Sequence, residues 1–453
     1  MNTKLFFRLL LLVLAINFTA CEKDDVVDDK DDEYVPEEGE IVEDLDIDNL
    51  YVITGEQIWG EGITVNMNHH VIIEKGASLK IKPGVKVIAN VDVAPEFYVK
   101  GDLLALGSEE KRIVMTVADV NRTNDNVFKG LWSGICATEE SENFVLNYVT
   151  VEFCGAIGSA EHPSVQGGYN EDGEPCKGIF THNITGKNVI HNSEFLYFSD
   201  DAFYSKGAQV SLYNNFFAYV GETGGECINI KSGVKGDVCF NTFYHNATNG
   251  IKWSNSGERE VQADVRVYNN TILNGGWRRS KSGRGGSLNI EKGARGASFN
   301  NLVVNCKYGF RVVGDQDTGE TDVDMENTTW GNTYYYGNNQ AMINEFVPSN
   351  GVLNAFEDSD IHNTDVVAGM PMFANYDSKA NFSIENADTE FPTPVESIVV
   401  DSFRKYDFSL KSGSPAVGAG LTSVSPMYAN ITIDGNEFIT PSSASYIGAK
   451  AVK

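Results

Sequence analysis

The sequence predicts an all-β solenoid, a single domain of short strands stacked coil upon coil, on three observations. Residues 189–330 repeat one phrase as NVIHNSEF, VSLYNNFF, GDVCFNTF, VRVYNNTI, GASFNNLV and VDMENTTW. Aligned, the phrases give a column at Ser193, Asn215, Asn241, Asn270, Asn301 and Asn327, with steps of 22, 26, 29, 31 and 26 residues. Most are followed by a second phrase, as in DDAFYSKG, ECINIKSG, NGIKWSNSG, GSLNIEKG and YGFRVVG. The phrases are rich in Val, Ile, Phe and Tyr, are bounded by Gly or Asn, and lack helical apolar spacing, so they read as strands. A unit this short cannot bury its own apolar face and must stack on copies of itself. A propeller would need ~40–45 residues per repeat; a sandwich with chance Asn usage is the remaining alternative. Asn tolerates the left-handed backbone, so its column marks a sharp bend between strands.

Along the chain, Lys4 and Arg8 precede an apolar run over residues 9–16, and Phe18-Thr19-Ala20-Cys21 follow. Residues 1–20 read as a signal peptide, too short for a stable membrane span. The small residues before Cys21 resemble the bacterial lipoprotein cleavage box. That resemblance implies a lipid-modified Cys21, with each buried acyl CH₂ contributing about 0.8 kcal/mol to membrane attachment. An ordinary leader with a chance Cys is the alternative. Residues 21–48 form an acidic linker: from 22 to 48 there are 15 Asp or Glu and two Lys, a net charge of −13. Such a segment is expected to be a disordered, self-repelling tether. Glu22-Lys23-Asp24-Asp25 resembles the surface-export signal of Bacteroidota lipoproteins, which implies an outer-membrane lipoprotein displayed at the cell surface. A plain spacer facing the periplasm is the alternative. The whole chain carries −28; without the tether's −13 and the leader's +2, residues 49–453 keep −17. An acidic body argues against nucleic acid as a partner, and the lipid is the only expected membrane contact.

In the body, LKIKPGVKVIA (79–89), FYVKGDLLALGS (97–108) and GLWSGI (130–135) resemble the first coils of secreted bacterial β-helix proteins. YDFSLKSGSPAVGAG (406–420) and SYIGAK (445–450) resemble their closing segment. With the Asn column, these stretches make residues 50–450 similar to the right-handed parallel β-helix of pectate lyases and polygalacturonases. The resemblance assigns ECINIKSG and its equivalents to first strands, GDVCF to second strands and TFY to third strands. Residues 338–400 break the period and read as an excursion or cap, which a solenoid needs. The six cysteines after Cys21 show no metal spacing and suit small buried apolar positions, and export would also permit disulfides.

The resemblance places a ligand on the outer face of the first-strand sheet. The outward column is expected to be Phe203, Asn229, Lys252, Asn289 and Arg311, with strands ~4.8 Å apart. The loop over residues 275–284 holds Trp277, Arg278, Arg279, Lys281 and Arg284 and no acid. Arg forks grip carboxylate or sulfate, and Trp offers a face for a sugar ring. The expectation is a groove for a polysaccharide, in particular an acidic one; a solvated loop whose cations pair with nearby acids is the alternative. Asp200-Asp201 resembles the consecutive Asp pair of polygalacturonases, and Arg311 matches their Arg. Asn249-Gly250 lacks the neighbouring His, and Val313 replaces the Lys. An inverting glycosidase needs two carboxylates ~6.5–9.5 Å apart; Glu226, one coil on, would supply the second. The pair also reads as an ordinary Asp turn. A lyase would take Lys252 or Arg311 as base and usually calcium, for which Asp315 and Asp317, with Glu320, Asp322 and Asp324, offer hard oxygen ligands; an acidic surface loop explains them more simply. Three readings stay open: a glycan-binding or scaffold protein, a polysaccharide lyase, and a glycosidase. Fold alone does not choose between them.

Cys21→Ser should move the protein from the membrane to the soluble fraction. A variant that still sediments with membranes contradicts the lipid anchor.

Overall fold

Each coil of the chain bends three times, and the bends sort its strands into three parallel sheets. One coil runs through Ile228–Ile230, Lys235–Cys239 and Thr242–Tyr244 before Ile251–Ser254 restarts the cycle. Strands of the first kind stack into a ten-stranded sheet, of the second into an eleven-stranded sheet and of the third into a twelve-stranded sheet. Neighbours in each are one coil apart and parallel, as Ile228↔Ile251 and Lys235↔Asp264 illustrate. This is a right-handed parallel β-helix, the hand a parallel crossover takes, and its three strands per coil are those the sequence assigns. The structure is a computed structural model that describes residues 41–453 apart from 43, 258, 280, 282, 367–368, 383 and 385–397. The leader, Cys21 and most of the tether lie outside the described residues.

Alternation sends every second side chain inward, where like residues of successive coils stack. Phe195, Phe217 and Phe243 lie ring on ring, with centroids 4.8 and 5.0 Å apart. Aromatic pairs of this kind add about 0.5–1.5 kcal/mol each beyond the area they bury. All six cysteines of the body are buried and free.

The Asn column is a hydrogen-bonded ladder at the bend between the eleven- and twelve-stranded sheets. Asn215 donates from both its backbone N–H and its Nδ2 to Asn241 Oδ1, at 2.9 and 3.0 Å. Asn241 repeats this on Asn270 at 3.0 and 3.0 Å, and Asn270 on Asn301 at 3.0 and 3.0 Å. Ser193 caps one end, donating its N–H to Asn215 Oδ1 at 2.9 Å. The left-handed residue is the one before the column: Asn192, Asn214, Phe240, Asn269 and Asn300 have φ between 53° and 56°. The column's role is therefore the ladder, and its neighbour makes the bend. Asn327 does not belong to it. It ends a short 3-10 turn and binds Asp324, while Thr333, just before Tyr334, stands one coil on from Asn301.

The solenoid begins earlier than the sequence suggests. Ile41–Val42 and Leu45–Ile47 already pair with the next coil, and Asp46 and Asp48 accept from Asn66 and Asn68 at 2.7 and 2.8 Å. Past residue 338, a helix over Gln340–Asn344 is capped by Asn339, which accepts from the Met342 N–H. The chain then returns along the outside of the solenoid. Gly448 N–H meets Asn300 O at 2.8 Å, Met427 N–H meets Asp237 at 2.9 Å, Lys187 reaches Thr432 O at 3.0 Å and Lys80 pairs with Asp434 at 3.1 Å. Ile431, Ile433 and Phe438 of its hairpin cover Leu104, Val145 and Val189 on the eleven-stranded sheet. Phe403 and Phe408 cover Phe216 on the twelve-stranded sheet, with centroids 5.0 and 6.2 Å away. Among the described residues no helix is long and apolar enough to cross a membrane.

Asn241→Ala removes two acceptor and two donor contacts from a buried ladder and leaves the Asn215 backbone N–H without its acceptor. Its cost is expected at about 2–4 kcal/mol, read from chemical denaturation. Asn327→Ala, at an exposed turn, should stay within about 0.5 kcal/mol of the parent. Equal effects would contradict the ladder.

Candidate functional site

The ten-stranded sheet carries the site because its alternation is fixed from within. Phe203, Ile228, Ile251 and Leu288 pair in register and face the core. The next residue of each strand therefore faces out, which gives the column Tyr204, Asn229, Lys252, Asn289 and Arg311. Four of these are as the sequence suggests. Phe203 is not: it is 1 % exposed, in the core, and Tyr204 takes its place.

At the incoming end of these strands, four loops converge on a cavity of about 250 Å³ lined by Asp200, Asp201, Glu226, Lys252, Arg279 and Arg284. Gly225 brings its loop down onto the Asp pair. Its φ is 91°, and a Cβ there would stand 2.5 Å from the Asp200 carbonyl carbon. The closeness aligns the acids: Glu226 N–H donates to Asp201 Oδ1 at 2.6 Å, and Asn229 Nδ2 donates to Asp201 Oδ2 at 2.8 Å and to Glu226 Oε2 at 3.5 Å. Lys252 lies between Glu291 at 3.1 Å and Glu226 at 3.7 Å. Lys177 approaches Asp200 at 4.0 Å, and Arg284 approaches Glu291 at 4.0 Å.

Burial and mutual repulsion set the proton states. Burial, then the Asp201 charge, pushes the Glu226 carboxyl up to about 7. Burial also raises Asp200 and Asp201. Burial pulls Lys252 down, but Glu226 and Glu291 outweigh it and its pKa ends above the ordinary value. Burial likewise pushes Glu291 up, but Lys252 and Asn289 leave it below the ordinary range. The cavity thus holds one carboxyl that can give up a proton near neutral pH and one lysine held charged. Neither residue named as a lyase base is a free base: Lys252 stays protonated, and the Arg311 guanidinium donates to Asn289 Oδ1 at 2.7 Å and to the Gly283 carbonyl.

The basic loop divides. Arg279 and Arg284 line the cavity. Trp277 does not: it is 3 % exposed, donates Nε1–H to Asn305 O at 2.7 Å and packs with Met342 and Phe382. Arg278 stacks on Phe128 and donates to the carbonyls of Val220 and Gly221 at 3.1 and 2.7 Å, so it ties the loop to the preceding coils. Apolar partners supplied by distant segments draw the Trp in, and carbonyls at a bend hold the Arg. Asn289 and Arg311 extend the floor, and Arg311 is roofed by Gly283. Asp315 and Asp317 sit in a turn. Asp315 Oδ1 accepts from the N–H groups of Asp317 and Thr318 at 2.9 and 3.1 Å, closing a turn, and no group of three or more metal-binding side chains occurs among the described residues. Sequence reasoning missed Glu291, Lys177 and Tyr204. Glu291 stands at the same phase in GSLNIEKG as Lys231 in ECINIKSG, and that register would have found it.

No family model, no curated protein and no solved structure matches this chain.

In the folded chain Glu226 keeps its proton up to about 7, against 4.5 for the ordinary group. Its contribution to stability is therefore fullest below the unfolded value and is lost as pH rises through the folded one. Glu226→Gln removes that dependence and leaves Lys252 with Glu291. The variant should be more stable than the parent at pH 8 by about 1–3 kcal/mol, with the difference shrinking toward pH 5, as measured by denaturation at both pH values. A variant weakened at pH 8 would show that the ionised form of Glu226 is held by Lys252.

Proposed function

We propose that this β-helix engages an anionic polysaccharide in the cavity on the outer face of its ten-stranded sheet, as a lipoprotein anchored at the outer membrane and displayed at the cell surface. The observation that carries the reading is a pair of orphaned polar atoms: Asn229 Oδ1, on the outward column beside Lys252, and Arg279 Nε, on the cavity wall, are buried without a hydrogen-bond partner. Buried polar groups are normally satisfied, so a ligand with hydroxyl and acidic groups suits both. Lys252, Arg279 and Arg284 set three cations opposite three carboxyl groups in the lining, within a body of charge −17. The return segment also lies on the other two sheets.

A hydrolytic reading has one specific observation in its favour, the raised Glu226 carboxyl beside a second acid. Glu226 would pass its proton to the glycosidic oxygen as the C–O bond breaks. Asp200 would take a proton from the attacking water, whose oxygen bonds to the anomeric carbon. Polygalacturonase-like chemistry is the runner-up to binding on this reading. Elimination by a lyase is disfavoured, since both candidate bases are held as cations.

A panel of acidic and neutral polysaccharides tests the proposal by calorimetry, with reducing-end release and ultraviolet absorbance of unsaturated product read in parallel. Binding to an acidic polymer should weaken with salt, as expected for charges screened over ~8–10 Å. An Arg279→Ala/Arg284→Ala variant should fold normally and bind at least about tenfold more weakly. Unchanged binding in that variant contradicts the cavity. Reducing ends lost in Glu226→Gln establish hydrolysis; unsaturated product establishes elimination.

A further inference from the structure

Lys231 belongs to none of the roles assigned above. It follows the strand Ile228–Ile230, so it emerges on the outer face two residues beyond Asn229. Its register neighbours on the adjoining coils are Lys206 and Ser254. The residue is 8 % exposed, and its ammonium stands 5.0 Å from the centre of the Tyr204 ring. Lys252, two strand positions away on the next coil, is paired with two carboxylates. Among the described residues no carboxylate pairs with Lys231, and Glu226, Asp201 and Glu291 act on it only at longer range. Burial, then the Lys252 charge, pulls its pKa down to about 8. A buried ammonium is costly unless a partner meets it, and this one has no fixed acceptor.

The outer face is also polarised across its width. Asp201 and Glu226 lie at the incoming end of the strands, Tyr204 and Asn229 in the middle, and Lys206 and Lys231 at the outgoing end. A ligand lying across the strands meets a proton donor on one side and an unpaired cation on the other.

We infer that Lys231, with the Tyr204 ring beside it, receives the ligand's anionic group, a carboxylate or a sulfate, on the side of the sheet opposite Glu226. The inference rests on the glycan reading and deepens it. It makes the charged group of the sugar, rather than its linkage, the part held at the outgoing end. Tyr204 then packs against the ring that bears it.

The test uses the full chain and compares Lys231→Met and Lys231→Arg with the parent against a polyuronate, a sulfated polysaccharide and a neutral glucan. Lys231→Met should lose at least about tenfold in affinity for whichever polyanion the parent binds. Lys231→Arg should stay within about threefold, and the melting temperature of Lys231→Met should not fall. The polymer that loses affinity tells carboxylate from sulfate. In parallel, acetylation at pH 8 is mapped by peptide mass spectrometry, and the bound polyanion should slow modification of Lys231. Unchanged affinity in Lys231→Met, or unchanged acetylation, overturns the inference. If Arg279→Ala/Arg284→Ala loses binding while Lys231→Met keeps it, the cavity reading stands and this inference alone fails. If the parent binds no polyanion, the cavity reading fails. Galacturonate and inorganic sulfate then decide the Lys231 inference: slowed acetylation supports it, and unslowed acetylation overturns it.

Discussion

Register between coils is the constraint on which everything else here depends. No single coil can bury its apolar face, so each takes its position from the one below, and a slip of one residue would turn the inward side chains out. The Asn ladder opposes that slip. Each Asn fills its neighbour's backbone and side-chain donors at once, from Ser193 to Asn301. The site is a by-product of the same register. Asp201 and Glu226 meet because their strands, headed by Phe203 and Ile228, are locked in phase. Lys252 falls between Glu226 and Glu291 for the same reason.

The site runs against the economy of the rest of the molecule. In the Asn ladder, buried polar groups such as Asn241 find partners within the coil stack. On the outer face of the ten-stranded sheet, acids at the incoming end sit close enough to raise one another's pKa, Asn229 and Arg279 keep unsatisfied atoms, and Lys231 at the outgoing end is sunk without a carboxylate. Unpaired charge and polarity of this kind lower stability. The return segment adds a second asymmetry by spending its apolar residues on the eleven- and twelve-stranded sheets.

Much of this was legible in the chain. Strand period, the Asn column from Asn215 to Asn301 and the meeting of Asp200, Asp201, Glu226 and Lys252 follow from repeated phrases, because a solenoid converts phase in sequence into position in space; the three strands per coil came from the family resemblance. Two of the failures, at Trp277 and Arg278, share one cause, contact with segments outside their own coil. Trp277 reads as a sugar platform until Met342 and Phe382 are seen to bury it, and Arg278 reads as free until Phe128 and the carbonyls of a neighbouring coil hold it. Asn327 aligned by spelling, but a turn over residues 314–327 lengthens that coil and moves the phase to Thr333. Phe203 was misplaced by one position, although its alignment with Ile228 was available in the phrases themselves. No spacing rule could have shown that Lys231 lacks a partner, since that depends on where Lys252 sends its ammonium.

The central claim is that the outer face of the ten-stranded sheet, from Asp201 to Arg284, is where this protein meets its ligand. Peptide-resolved hydrogen exchange of the full chain, with and without a saturating acidic polysaccharide, measures it most directly. Slowed exchange in residues 200–206, 222–231, 248–254 and 279–286, with residues 421–446 unchanged, is the result the account predicts. Slowed exchange confined to the return segment or to the twelve-stranded sheet would contradict it.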